Sequence, residues 1–283
     1  MRVILLMCLL WPCFVYAETS LWRISRGNNQ LYIGGTVHLL SQSDYPLPDE
    51  FEQVFREANM LVLEADLDTM LKPQFQKQLL QSLIYSDGST LKTNLKVKTY
   101  KALQRYCRAN GVAFATLQKM KPALVVISLT LGKLQKSGQA DAGVDSFFHK
   151  KAKVLGKKIT GLETAESQIR VLADMGKGRE DELIQSTIAE LKSAPKFVDE
   201  LKKAWRVGDL VGLEKNGINA MRDTFPDMNQ NLLVTRNNAW IPKIKAMLTT
   251  PERELILVGA LHLAGKDGVL AQLKQQGYVV EQY

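Results

Sequence analysis

Histidine is scarce in this chain, with three residues in 283. Cysteine is equally scarce, and Cys8 and Cys13 fall within the first seventeen residues. Without that segment Cys107 is the one thiol left, which excludes an intrachain disulfide framework. Stability must then come from a packed core, and about 266 residues suffice to build one. Long apolar runs are also lacking. Ala123–Leu131 is too short to cross a bilayer, which takes about 20 residues, and reads as a core helix. No long linker or low-complexity stretch divides the chain. The formal net charge is +8, with basic clusters from Lys92 to Lys121 and at Lys150, Lys151, Lys153, Lys157 and Lys158. The first cluster holds just Tyr100, Tyr106 and Phe114 and the second no Phe, Tyr or Trp, a sparse set beside the aromatics that single-strand binders stack on bases. They read as solvated basic faces, and nucleic acid is not an expected partner.

The N-terminus has the pattern of an export signal. Arg2 gives a positive start, Val3 to Val15 an apolar segment, and Val15-Tyr16-Ala17 a small-residue cleavage site. Trp11 and Pro12 stand before Cys13 where a lipoprotein box needs small residues, so no lipid anchor is expected. The expectation is a periplasmic or secreted protein in which residues 1–17 are removed and 18–283 form a single domain, with no stable membrane insertion after cleavage. Its net charge falls to +7 when Arg2 leaves.

Two of the three histidines occupy the same four-residue pattern, Gly35-Thr36-Val37-His38 and Gly259-Ala260-Leu261-His262. Each follows an apolar run of strand type, Leu31-Tyr32-Ile33 or Leu255-Ile256-Leu257-Val258. Two further short apolar runs end in acids, Met60-Leu61-Val62-Leu63 before Glu64 and Ile159-Thr160-Gly161-Leu162 before Glu163. Open α/β sheets bind ligands at the carboxyl ends of their strands, so four such strands sharing an edge would bring two imidazoles and one or two carboxylates together. That donor set suits Zn²⁺, Mn²⁺, Co²⁺ or Fe²⁺ with positions left for water and substrate, and metal-assisted hydrolysis is the chemistry it would serve. Helices are expected over most of residues 67–137 and 164–248, broken at glycines and prolines that include Gly217. Within them Arg236 is a candidate to support the site or clamp a carboxylate. Asp66 reads as a helix cap, Asp145 as a helix N-terminal residue with orientation of a site group as the alternative, and His149 as structural. The late strand–GxxH–helix–strand series weakly echoes the early one, with Glu281 in the place of Glu64.

Six segments resemble the TraB/GumN family, which includes the Tiki metalloproteases and a pheromone-shutdown protein. They are Ile33-Gly34-Gly35-Thr36-Val37-His38, Leu63-Glu64-Ala65-Asp66, Gly143-Val144-Asp145, Gly161-Leu162-Glu163-Thr164, Arg236-Asn237 and Val258-Gly259-Ala260-Leu261-His262-Leu263. The resemblance implies an α/β fold of EreA/ChaN/Tiki-like type: a central mixed β-sheet carries the site at its strand ends, with a large helical insertion at about residues 67–250. It also implies a divalent metal such as Mn²⁺ or Co²⁺ on His38, His262 and Glu64. With the donor set read above, the expected cofactor is Mn²⁺, Co²⁺ or Zn²⁺, and the expected catalytic residues are Glu64, as ligand or base, with Glu163 and Arg236 supporting the site or positioning substrate. The leading expectation is an exported metal-dependent hydrolase, a peptidase or amidase acting on a peptide or small-molecule substrate. Two alternatives stay open: a metal-independent esterase with a histidine base, and a non-enzymatic peptide- or haem-binding protein.

Overall fold

The computed structural model describes residues 19–139 and 141–283; the expected signal segment, 1–17, lies outside the described residues. Among the described residues the strands are β1 Leu21–Arg26, β2 Asn29–Thr36, β3 Leu39–Leu40, β4 Met60–Leu63, β5 Asp141–Ala142, β6 Lys158–Gly161, β7 Glu254–Gly259 and β8 Val279–Gln282. Six of them form one sheet in the order β6-β4-β7-β2-β1-β8. β6, β4, β7 and β2 are mutually parallel, while β1 runs antiparallel to both β2 and β8. The fold is mixed α/β, a central sheet with many helices.

The alternation of side chains along each strand explains the layers. Leu21, Tyr32, Leu61, Leu63, Leu255 and Leu257 face one side, where Phe51, Val54 and Phe55 of helix Asp49–Glu57, Phe148 of helix Val144–Val154, and Trp205 cover them. Their neighbours Trp22, Ile24, Leu31, Ile33, Val62, Ile256 and Val258 face the other, under Trp240, Ile241 and Ile244 of helix Thr235–Met247 and under helix Val269–Gln275. β7 is central and every residue from Glu254 to Val258 is buried, so it reads as a continuous apolar run rather than an alternating one. A separate apolar cluster, built on Leu91, Leu103, Cys107, Val125 and Leu129, holds the helices between residues 91 and 136 together.

Proline and acidic residues start several of the helices. Pro48 precedes the acidic first turn Asp49, Glu50 and Glu52, and Pro73, Pro122, Pro195 and Pro226 sit in first turns. Asp66 caps the helix Leu67–Met70 by accepting the Asp68 N–H, as expected. One expected break is absent. Gly217 lies inside a π-helical turn, Glu214–Ile218, that continues the helix, and a second π turn spans Gln230–Val234. Glu281 lies on β8 at the opposite flank of the sheet, paired with Arg23, so the late echo of the early motif does not extend to the site.

Candidate functional site

Because β6, β4, β7 and β2 are parallel neighbours, their carboxyl ends lie on one edge, and the four residues read from the sequence follow those ends. Glu163 follows β6, Glu64 follows β4, His262 lies on the 3-10 turn Ala260–His262 after β7, and His38 follows β2. Backbone hydrogen bonds prolong the β4–β6 register to the two acids: Leu162 N–H donates to Leu63 O and Glu163 N–H to Glu64 O. Arg236, from helix Thr235–Met247, joins them. The side chains of Glu64, Glu163, Arg236 and His262 are 12, 11, 10 and 5% exposed, whereas that of His38 is 68% exposed. The site is therefore a buried charged cluster with one imidazole open to solvent.

Arg236 is its hub. The guanidinium donates to Glu64 Oε2, to Glu163 Oε1 (Nε at 3.0 Å, Nη2 at 2.6 Å), to Leu232 O at 3.1 Å and to His262 Nε2 at 3.0 Å. Gln168 adds an amide N–H to Glu163 Oε1 at 2.6 Å. Arginine has only donors, so His262 Nε2 must carry a lone pair, and the neutral ring's proton sits on Nδ1. That proton is donated to Asn237 Oδ1 at 2.6 Å. Trp240 packs on the same pair, its ring centroid 4.4 Å from that of His262 and 4.8 Å from the guanidinium. The π turn ends immediately before this helix, with Thr235 N–H reaching back to Gln230 O. Its extra residue rotates the helix after it, and Arg236 and Asn237 both turn inward.

His38 is held differently. β3 pairs antiparallel with β5, Leu39 opposite Ala142 and Leu40 opposite Asp141, and Val144 N–H donates to Val37 O. This contact brings the start of helix Val144–Val154 against the residue after β2, so that Asp145 Oδ2 accepts from His38 Nδ1 at 2.9 Å while Oδ1 accepts from Thr36 Oγ1 at 2.8 Å. Gly143 makes the approach possible, since a Cβ there would stand 2.3 Å from Val37 O and 2.4 Å from His38 O. Asp145 does occupy the first helical turn as expected, and it also orients the site histidine. With Nδ1–H directed at a carboxylate, the lone pair of a neutral His38 ring also falls on Nε2.

The charges follow from these contacts. The Asp145 carboxylate beside it raises the solvent-facing His38 to about 9. Burial, reinforced by the positive charge of Arg236, lowers His262 to about 3 even though Glu64 pulls the other way, so this ring is neutral. Burial alone would raise Glu64; the surrounding His262, Arg236 and His38 and the Gly259 N–H outweigh it and hold the carboxyl well below the usual range. With His262 neutral, the positive charges behind that depression are the Arg236 guanidinium and the protonated His38.

Gly259 forms the floor. Its N–H donates to Glu64 Oε1 at 2.7 Å, and a Cβ on it would lie 3.2 Å from Glu64 Oε1, 3.6 Å from His262 Cδ2 and 3.8 Å from His38 Nε2. One small space thus borders all three expected metal ligands, with Glu64 Oε1 and His262 Nε2 3.8 Å apart. Among the described residues no group of three His, Cys, Asp or Glu side chains is arranged to hold a metal ion, and Arg236 engages both Glu64 and His262. An ionised carboxylate and two imidazoles, each with Nδ1 held by an oxygen acceptor, have the donor chemistry for a cation, but Arg236 occupies the His262 Nε2 lone pair and would have to release it first.

Sequence reasoning placed His38, Glu64, Glu163, Arg236 and His262, and the structure brings all five together. Asn237, Gln168 and Trp240 have no role in the sequence reading, and for Asp145 the structure bears out both the helix start and the alternative of orienting a site group. Asn237 carried a signal in its position directly after Arg236; Gln168 and Trp240 carried none. The third histidine, His149, is elsewhere, buried on helix Val144–Val154 with Nε2 3.4 Å from Asp68.

Comparison with known proteins finds relatives that extend over most of the chain. Escherichia coli (strain K12) YbaP, an uncharacterized protein, is 26% identical over 250 residues, covering 87% of this chain and 88% of YbaP. YbaP of Shigella flexneri matches with the same identity and coverage. No solved structure matches the chain. The model of the TraB/PrgY/gumN family matches residues 20–282, and the chain belongs to that family.

Proposed function

We propose that this protein is an exported metal-dependent hydrolase of the peptidase or amidase class, with an EreA/ChaN/Tiki-like architecture. The observation that carries the reading is the space over Gly259, bordered at once by Glu64 Oε1, His38 Nε2 and the His262 ring. His38, Glu64 and His262 would hold Mn²⁺, Co²⁺ or Zn²⁺, which when bound supplies a water of lowered pKa and a polarised carbonyl.

The remaining roles belong to the chain itself. Asp145 and Asn237 hold the two imidazoles in the tautomer that presents Nε2. Gly259 N–H fixes Glu64 Oε1 and keeps the carboxylate ionised, the state a ligand needs. Arg236 balances Glu64 and Glu163 in a buried setting, and its charge faces the negative charge that develops on a carbonyl oxygen during attack. His38 is the solvent-facing member, so substrate enters past it.

A metal-independent esterase with His38 as base is favoured by one observation, the Asp145 partner. That partner also raises His38 to about 9, which leaves the metal-free ring protonated near neutrality and unable to accept a proton. This reading therefore stands second. The test is hydrolysis of a mixed peptide and amide library by the protein loaded in turn with Mn²⁺, Co²⁺ and Zn²⁺, beside Glu64→Gln. Cleavage abolished both by chelation and by Glu64→Gln supports the proposal. Cleavage that survives exhaustive chelation moves it to the second reading, and saturable binding with no turnover rejects both.

A further inference from the structure

We propose that the helical lobe between residues 88 and 139 is a docking surface for anionic phospholipid membranes. Between Asp87 and Asp141 the sequence holds ten lysines and arginines and no acidic residue. Elsewhere the remaining 27 basic residues face all 29 acidic ones, so the whole positive excess of the chain resides in this lobe. Excess charge on a globular protein is usually spread among counter-charges, and the ion pairs here follow that habit only outside the lobe. Lys151 pairs with Glu52, Lys153 with Asp68 and Lys202 with Asp44. Among the described residues none of the lobe's ten cations pairs with a carboxylate; Lys121 and Lys136 donate only to the carbonyls of Ser82 and Asn110.

Helix Val97–Ala109 arranges four of these charges. Thr99, Leu103 and Cys107 form its buried stripe. Lys98, Lys101, Arg105 and Arg108 are all exposed and stand three, four and three residues apart, one stripe centred about 180° from the buried one at about 100° per residue. Helix Glu180–Glu190 packs on the buried side, where Gln185 reaches Thr99 Oγ1 at 2.6 Å, and Asp181 Oδ1 accepts the backbone N–H of Lys96 at 2.9 Å just before the helix. The outward face therefore presents unbroken positive charge.

Two features select a lipid surface over a nucleic acid strand. The aromatic rings of the lobe are committed to its interior: Tyr100 packs edge-on against Phe114 with centroids 5.2 Å apart, and Tyr106 packs on the apolar cluster, so none is free to stack on a base. Val97, in contrast, is 69% exposed on the first turn of the same helix, an apolar group beside cations, the composition that suits the headgroup–acyl boundary. Each cation near an anionic bilayer contributes about 1 kcal/mol, roughly fivefold in partitioning. The four-residue stripe is therefore decisive for binding, which will be strongly salt-dependent.

The experiment is co-sedimentation of the purified mature chain with phosphatidylcholine vesicles and with vesicles that also contain phosphatidylglycerol, at low and high salt. The proposal expects binding to the phosphatidylglycerol vesicles alone, release at high salt, and more than tenfold weaker partitioning for Lys98→Gln/Lys101→Gln/Arg105→Gln/Arg108→Gln. A variant with equal charge loss at exposed positions elsewhere, Lys150→Gln/Lys192→Gln/Lys203→Gln/Lys274→Gln, should retain most of the binding. If the fourfold stripe variant folds poorly, Lys98→Gln/Lys101→Gln and Arg105→Gln/Arg108→Gln should each lose part of the binding. Failure to bind phosphatidylglycerol vesicles at low salt, or equal losses in the stripe and control variants, would overturn the proposal. Tighter binding to duplex DNA or to a soluble anionic polysaccharide than to vesicles would overturn it as well.

Discussion

Gly259→Ala separates the fold from the site more cleanly than removal of any ligand. The glycine sits at φ −50°, ψ 133°, a conformation open to every L residue, so the change introduces no backbone strain. An added methyl would meet Glu64 Oε1 at 3.2 Å, tight by a few tenths of an ångström, and His262 Cδ2 and His38 Nε2 at ordinary contact distance. The lower entropy of the unfolded alanine chain contributes about 0.4–1 kcal/mol in the opposite direction. Stability should therefore remain within about 1 kcal/mol of the parent, measured by urea denaturation. Binding is another matter. A cation needs its donors at about 2 Å, while a methyl carbon keeps its neighbours at about 3.5 Å or more, so both cannot occupy this space. Titration of the metal-free protein with Mn²⁺, Co²⁺ and Zn²⁺ should show affinity reduced at least about tenfold, about 1.4 kcal/mol. Unchanged affinity in a folded Gly259→Ala protein would refute the cradle over Gly259 as the place where the ion is held.

Other outcomes rest on the same contacts. Arg236→Ala leaves Glu64 and Glu163 buried without their counter-charge and should cost about 3–5 kcal/mol at neutral pH by denaturant titration. Because Glu64 is depressed in the parent, its stabilising contribution is present above the ordinary carboxylate pKa and fades as pH falls; the difference between parent and Arg236→Ala should narrow in acid. In chelator-treated protein the His38 ring should titrate near 9 by NMR, returning toward about 6.5 in Asp145→Asn. The His38–Asp145 pair contributes stability that is full below about pH 6.5 and lost as pH rises through about 9, at most about 1 kcal/mol at so exposed a position. Trp205→Phe removes the Nε1–H donor that Gly35 O accepts at 2.6 Å in the core, and should lower stability by about 1–3 kcal/mol without changing metal affinity.

The strand-end residues were legible because each ends an apolar run short enough to be a strand, and polar groups at such positions face the sheet edge. Their convergence also required that β6, β4, β7 and β2 be parallel neighbours, and that order depends on long-range packing which local residue patterns do not encode. Asp145 illustrates the limit. Its place in a first helical turn follows from local chemistry, but its bond to His38 depends on β3 pairing with β5 about a hundred residues later in the chain. Arg236 and Asn237 pose a related problem: one extra residue in the π turn Gln230–Val234 sets which face of the following helix they occupy, and no residue type announces that insertion. Gly217 was misread as a break for the same reason, since in a π turn a glycine continues the helix.

The most direct test is the metal content of natively purified protein, by elemental analysis, beside His38→Ala/His262→Ala. The account predicts close to one transition-metal ion per chain in the parent and none in the variant. No metal in either protein, even after incubation with Mn²⁺, Co²⁺ and Zn²⁺, would contradict it.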